Sequence, residues 1–270
     1  MEKRLRMFKD RYKNMGKGIK ILYIVLRVLI AFSMLQQIII KEYYNAFLCF
    51  LTLILYTLPT IISEKYKLGI PTLLEAIMYL FLFSSLILGE LNNFYMKIPF
   101  WDKILHTLNG LVCAGIGISL VDILNKGSER LNLSPIFIVF VGFCFSMTIG
   151  VLWEFIEYDI DKYFKTDMQK DKIVTEFASV DLTEDKKSPS KIVKDIESTD
   201  INLKNGEKIK VDGGYLDIGL HDTMEDLKVN FIGAVVLSFM SYFYILNREK
   251  YSFVEGLFIK KEKSEINDLN

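Results

Sequence analysis

Residues 135–158, PIFIVFVGFCFSMTIGVLWEFIEY, form an apolar run long enough to cross a lipid bilayer as a helix. Small or polar residues recur at every fourth position of this run: Gly142, Ser146, Gly150, Glu154 and Tyr158. Residues four apart lie on one face of a helix, and small residues at that spacing let membrane helices approach closely. The pattern predicts that this face contacts other helices and that Glu154 points towards them.

Five more apolar runs accompany this one, at residues 21–40, 43–62, 71–89, 105–124 and 227–246. Hydrophobic residues make up 51% of the chain, and the mean hydropathy is +0.27. Because the apolar residues are collected in runs of about 20 residues, the sequence predicts an all-α polytopic membrane protein with six transmembrane helices.

The charged residues predict how the chain is divided and oriented. The predicted parts are a basic cytoplasmic tail (1–20), transmembrane helices one to five (21–158), an extracytoplasmic lobe (159–225), helix six (226–247) and a cytoplasmic tail (248–270). The tails and loops on the side of the N-terminus carry 17 Lys and Arg, against three in the short loops of the other side. Basic residues accumulate in cytoplasmic loops, so both termini are predicted to be cytoplasmic in a protein of the cell membrane.

The lobe between helices five and six carries a hairpin signal. Apolar and polar residues alternate over residues 200–211 on both sides of Asn205-Gly206. An Asn-Gly pair between alternating segments is a strong indicator of a β-hairpin. We therefore expect a small external lobe of α/β or β-containing structure.

Five titratable residues are predicted to lie at the outer ends of three helices. His106 begins helix four, Glu154 and Glu157 end helix five, and Asp222 and Asp226 begin helix six. His106 and Asp226 each continue a stripe of small residues at four-residue spacing, as Glu154 does. We expect the five side chains to converge inside the bundle beneath the lobe.

Four carboxylates and one imidazole in a partly desolvated pocket call for protonation or a bound cation. The oxygen-rich set favours Mg²⁺, Mn²⁺ or Ca²⁺ over zinc. All five residues are candidate metal ligands, and His106, Glu154 and Glu157 are also candidate catalytic residues. The alternative is that these groups are exposed interfacial charges, because acidic residues are favoured in the first turn of a helix by its dipole.

The chain resembles a family of bacterial inner-membrane proteins of unknown function typified by YjdF. The resemblance rests on Asp102-Lys103-Ile104-Leu105-His106 with Gly110, on Trp153-Glu154-Phe155-Ile156-Glu157, on Gln169, and on Asp222-Thr223-Met224-Glu225-Asp226 with Asn230 and Gly233. It covers chiefly residues 100–235. It implies the fold and the positions of the site residues, and it implies no activity.

Three functions remain open on the sequence. The first is a metal-dependent hydrolase or transferase that acts on a membrane lipid or a lipid-linked substrate at the outer membrane face. The second is an ion- or proton-coupled transporter that uses the same carboxylates. The third is a non-catalytic scaffold whose lobe binds a partner. No nucleic-acid partner is expected, since the basic residues at both ends fit the orientation pattern.

Overall fold

The structure is a computed structural model that describes residues 16–261. Most of the predicted basic N-terminal tail and the end of the predicted C-terminal tail lie outside the described residues. Within the described part, six helical segments are long and apolar enough to cross a membrane. They are Lys17–Ile39, Tyr43–Tyr66, Thr72–Leu91, Trp101–Lys126, Pro135–Phe164 and Leu220–Leu246. The prediction of six spans with a strand-containing lobe between the fifth and sixth is confirmed.

Two of the six segments are interrupted helices. The second consists of α2 (Tyr43–Leu55) and α3 (Leu58–Tyr66), because Pro59 has no N–H to donate to the carbonyl of Leu55 four residues earlier. The third consists of α4 (Thr72–Leu82) and a π-helix (Phe83–Leu91). The Ser84 carbonyl of this π-helix accepts a hydrogen bond from the Trp101 indole N–H at 3.3 Å.

The remaining elements complete the chain in order. They are α1 (Lys17–Ile39), the strand β1 (Leu68–Gly69) after α3, α5 (Phe94–Lys97), α6 (Trp101–Lys126), α7 (Pro135–Phe164), the strands β2 to β7 of the lobe, α8 (Leu220–Leu246), a 3₁₀-helix (Ser252–Leu257) and β8 (Lys260–Lys261). The helix α7 continues six residues past its predicted end at residue 158, and α8 begins six residues before its predicted start at residue 226. Both extensions are polar and lie within the segment that the sequence assigned to the lobe.

The chain forms two compact units, Val151–Leu227 and the remainder. In the larger unit, glycines bring the backbones of α6, α7 and α8 together. A Cβ added to Gly110 of α6 would lie 2.0 Å from the Asn230 carbonyl oxygen, and one added to Gly233 of α8 would lie 2.0 Å from the Thr107 carbonyl oxygen. A Cβ on Gly142 of α7 would lie 2.2 Å from the Ile118 side chain. The predicted contact faces of small residues are therefore the faces along which these helices pack.

The smaller unit contains three antiparallel strand pairs. They are β2 (Lys172–Val174) with β7 (Tyr215–Asp217), β3 (Phe177–Ser179) with β4 (Lys191–Val193), and β5 (Ser198–Asn202) with β6 (Lys208–Asp212). The last pair confirms the predicted hairpin, with Asn202 opposite Lys208. Gly206 adopts the positive φ of +85° that the turn requires.

The contact between α6 and α8 gives a testable prediction. In Gly110→Ala the new methyl group meets the backbone of α8, and such overpacking costs about 1–3 kcal/mol. We expect a lower midpoint of thermal unfolding in detergent. Gly18→Ala is the matched control, because no heavy atom lies within 4 Å of its added Cβ. Equal midpoints for the two variants would contradict the helix packing described here.

Candidate functional site

In the larger unit, the predicted site residue His106 is buried on α6 one turn before Gly110. Asp102, four residues earlier on the same helix, places its Oδ1 atom 3.5 Å from His106 Nε2. A carboxylate beside one ring nitrogen fixes the orientation of an imidazole. Asp102 therefore orients the His106 ring.

A polar contact lies in the interior of this unit, one turn further along the helices. The Asn109 side-chain amide donates to Asn230 Oδ1 at 3.1 Å, and the Ser146 hydroxyl donates to the Gly110 carbonyl at 2.7 Å. A Cβ on Gly150 would lie 2.7 Å from the Asn230 amide nitrogen. Asn230 is fully buried, so α6, α7 and α8 meet at its side chain.

In the smaller unit, four predicted site residues are buried carboxylates. Their exposed fractions are 4% for Glu154, 7% for Glu157, 6% for Asp222 and 1% for Asp226. Glu154 and Glu157 lie on α7 and share one face at a spacing of three residues. The Trp153 indole N–H donates to Glu157 Oε1 at 2.8 Å, which supplies one partner for that carboxylate.

Asp161, on the last turns of α7, holds the loop that follows the helix. Its Oδ1 accepts hydrogen bonds from the Thr166 hydroxyl and the Met168 amide, both at 2.7 Å, and its Oδ2 accepts one from the Gln169 amide at 2.8 Å. Three donors to one carboxylate fix the path of the chain at residues 166–169.

The first turn of α8 holds the same loop from the other side. The Lys170 amide donates to Asp222 Oδ2 at 2.8 Å, and the Gln169 side-chain amide donates to the Thr223 hydroxyl. The Lys172 ammonium lies 3.3 Å from Asp222 Oδ1 and 2.9 Å from Glu225 Oε2. The end of α7 and the start of α8 are thus joined through one short segment.

These contacts give the predicted residues different surroundings. The Asp222 carboxylate contacts the Lys170 amide and the Lys172 ammonium. Its neighbour His221 is half exposed, with Nδ1 3.3 Å from Asp217 Oδ2. Tyr158, on the predicted contact face of α7, is 52% exposed. Each step of four residues rotates the position by about 40° around a helix. Tyr158 lies four such steps beyond Gly142, so it no longer lies on the helix face of Gly142.

Sequence patterns did not identify several residues that surround the site. Asn109 is a polar residue in an apolar run, three positions after His106, and that spacing could have identified it. Asp161 follows Glu157 by four residues and could have been found in the same way. No sequence pattern could identify Lys172, because its contact with Asp222 joins positions 50 residues apart.

Lys172 and Asp171 of the lobe have displaced pKa values. Partial burial lowers the pKa of Lys172, but its hydrogen bonds and ion pairs with Glu225 and Asp222 raise it further, so the pKa lies above its ordinary value. The ammonium therefore stabilises the fold at neutral pH, and this contribution is lost only as the pH rises through the raised pKa. Burial and the negative charges of Asp167, Asp161 and Asp217 raise the pKa of Asp171.

The raised pKa of Asp171 predicts that the effect of a neutral substitution at this position on stability depends on pH. Ionised Asp171 destabilises the folded lobe at neutral pH, and protonation relieves this penalty as the pH falls through the raised pKa. Asp171→Asn is therefore expected to raise the thermal midpoint at pH 7, by an amount that shrinks at acidic pH. Glu184→Gln, an exposed position of the same unit, is the control. A gain that is the same at every pH would contradict the electrostatic origin.

Comparisons with known proteins agree with this architecture. Residues 21–247 match a family described as "Predicted membrane protein (DUF2238)". An uncharacterized protein of Thermotoga maritima is 39% identical over 80 residues, which is 30% of this chain and 40% of that relative. No solved structure matches. Because the family match covers most of the chain, from the first span to the sixth, the protein belongs to this family of predicted membrane proteins.

Proposed function

We propose that the protein is a metal-dependent membrane enzyme, a hydrolase or transferase that acts on a lipid or lipid-linked substrate at the outer membrane face. The observation that carries the proposal is the burial of Glu154, Glu157 and Asp226. Burying several like charges is costly unless an opposite charge compensates them. A divalent cation would compensate these negative charges and could also take part in catalysis.

The proposed ligands are Glu154, Glu157, Asp226 and His106. Glu154 lies one turn beyond Gly150 on α7, Asp226 one turn before Asn230 on α8, and His106 one turn before Gly110 on α6. The spacing of four residues puts each of these three on the same helix face as its small or polar neighbour, and we infer from this pattern that they share a ligand. Three carboxylates and one imidazole suit Mg²⁺ or Mn²⁺ better than structural zinc.

Asp222, a further predicted ligand, has a different role in this proposal. Its two oxygens accept the Lys170 amide and face the Lys172 ammonium. We assign it to positioning the loop at residues 166–170 and the first turn of α8, and thereby Asp226 one turn later. Loss of the Asp222 carboxylate would therefore displace the proposed metal site rather than remove a metal ligand.

The chemistry follows from the residue types. A divalent cation at these carboxylates would polarise a phosphoryl or carbonyl oxygen and lower the pKa of a water molecule. His106, oriented by Asp102, would transfer the proton as general acid or base. A site at one end of the spans suits a substrate whose reactive group lies at the membrane surface, which favours a lipid head group or a lipid-linked phosphate.

Metal content tests the proposal directly. Purified wild-type protein should hold a divalent metal in stoichiometric amount after incubation with Mg²⁺ or Mn²⁺. Glu154→Gln and Asp226→Asn should each lose most of it, because each removes an anionic ligand from the cation. Asp159→Asn, which neutralises an exposed carboxylate on the same helix, should retain it.

Equal metal content in the three variants would reject the site, as would a metal-free wild type. A positive result would justify assaying the release of phosphate from lipid phosphates and lipid-linked diphosphates, again with Asp159→Asn as the active control.

A transporter is the second candidate, and one observation favours it. Glu75 is buried inside the third span, where the Tyr79 hydroxyl donates to its Oε1 at 2.9 Å and the Tyr56 hydroxyl donates to the Tyr79 carbonyl at 2.7 Å. Buried acidic residues within membrane helices often mark proton or ion pathways.

Proton flux distinguishes the two candidates. A proton-coupled carrier reconstituted in liposomes should acidify or alkalinise the lumen, and Glu75→Gln should abolish that flux because the amide cannot exchange a proton. Tyr79→Phe, which removes the hydrogen bond and keeps the carboxyl group, should retain part of the flux. Absence of flux from the metal-loaded wild type would leave the enzyme as the better account.

A further inference from the structure

The segment after α8 folds back onto α6 and β1 within the larger unit and lines an open cavity. β8 pairs antiparallel with β1, and the Ile259 amide donates to the buried Ser119 hydroxyl of α6 at 3.0 Å. Val254 and Phe258 are buried in the same core as Tyr244. The resulting cavity, of about 680 Å³, lies at the ends of α6 and α8, towards the opposite end of α6 from His106.

Basic side chains from three elements line this cavity. They are Lys126 at the end of α6, Arg248 just after α8, and Lys260 and Lys261 of β8. Three carboxylates, Asp122, Glu249 and Glu255, accompany the four cations. The lining therefore has a small positive excess.

Arg248 is held in place by two buried residues. Its Nη2 atom lies 2.8 Å from Asp122 Oδ1, and its guanidinium lies 5.0 Å from the centre of the Tyr244 ring. Asp122 and Tyr244 are 7% and 3% exposed. A guanidinium has five N–H donors in a fixed plane, so one fixed on a carboxylate through a single nitrogen keeps further donors for a second anion.

Asp122 also pairs with Lys126, whose Nζ lies 3.0 Å from Asp122 Oδ2. The buried carboxylate thus anchors two cations at the rim while neutralising only one charge. Basic residues that only mark the cytoplasmic side of a membrane protein require neither a cavity nor a buried carboxylate partner, and they often have neither. The position of Arg248 in the cavity wall, fixed by a buried carboxylate, distinguishes this arrangement from a general excess of positive charge.

We propose that this cavity binds a phosphate-bearing ligand, a phosphomonoester or phosphodiester group, with Arg248 as its central contact and Lys260 and Lys261 as its outer contacts. Guanidinium groups match phosphate oxygens in pairs, and lysines add charge without fixed geometry. The volume is that of a small-molecule site. An anionic phospholipid head group and a soluble phosphate share this chemistry, and basic pockets between membrane helices commonly hold the former. The site does not depend on the proposed metal centre.

The test measures ligand retention on the full-length protein. Nanodiscs of phosphatidylcholine with an increasing fraction of phosphatidylglycerol or cardiolipin supply the lipid source, and inorganic phosphate and glycerol phosphate supply the soluble source. Native mass spectrometry counts retained ligand, and thermal unfolding reports stabilisation. The variants are Lys260→Gln with Lys261→Gln, and Arg248→Gln with Asp122→Asn, which removes the ion pair together so that no buried charge is left alone.

Lys65→Gln is the matched control, because Lys65 is an exposed lysine of α3 that does not line the cavity. We expect saturable binding in the wild type and in the control, and roughly five-fold weaker binding for each cation removed from the cavity. Saturation by anionic lipid alone would identify a head group, and competition by inorganic phosphate would identify a soluble source. Equal retention in all variants, or no saturable binding of either class, would overturn the proposal.

Discussion

The close approach of α6 and α8 is the constraint on which the larger unit depends. Gly110 lies against the carbonyl of Asn230, and Gly233 lies against the carbonyl of Thr107, so each helix presents a glycine to the other's backbone. In a bilayer, lipid offers no hydrophobic drive for helices to associate, and close packing must supply the attraction. The Asn109–Asn230 hydrogen bond can form only at this short separation.

A second constraint operates in the smaller unit, where the carboxylates lie. Asp161 on α7 and Asp222 and Thr223 on α8 bind one loop through its backbone and the Gln169 side chain. Five hydrogen bonds from residues 166–170 fix the last turns of α7 and the first turn of α8. Polar extensions of two apolar helices thus gain order from side-chain contacts where the lobe begins. Glu157 lies within the ordered turns of α7, and Asp226 lies one turn beyond the ordered first turn of α8.

The sequence predicted the parts of the fold that depend on local pattern. Hydropathy located the six spans, and four-residue spacing identified the faces of Gly110, Gly142 and Asn230 that pack, because helical periodicity is a local property. The Asn205-Gly206 turn likewise specified its hairpin from adjacent residues alone. Burial of Glu154 and Asp226 follows from the same spacing.

Contacts between distant residues were not accessible in this way. The predicted C-terminal tail is in part a folded segment, because Ile259 binds Ser119 and β8 pairs with β1 across more than 100 residues. The π-helix in the third span also had no sequence signal, and its Ser84 carbonyl contacts Trp101, which belongs to the next span.

Pulsed electron paramagnetic resonance of bound Mn²⁺ tests the central proposal, that carboxylates of α7 and α8 and the imidazole of His106 bind a divalent cation. The chain contains two histidines, so nitrogen coupling to the metal can be assigned with two variants. The account predicts coupling to one imidazole nitrogen in the wild type and in His221→Gln, and its loss in His106→Gln. Stoichiometric Mn²⁺ without nitrogen coupling in the wild type, or coupling that persists in His106→Gln, would contradict it.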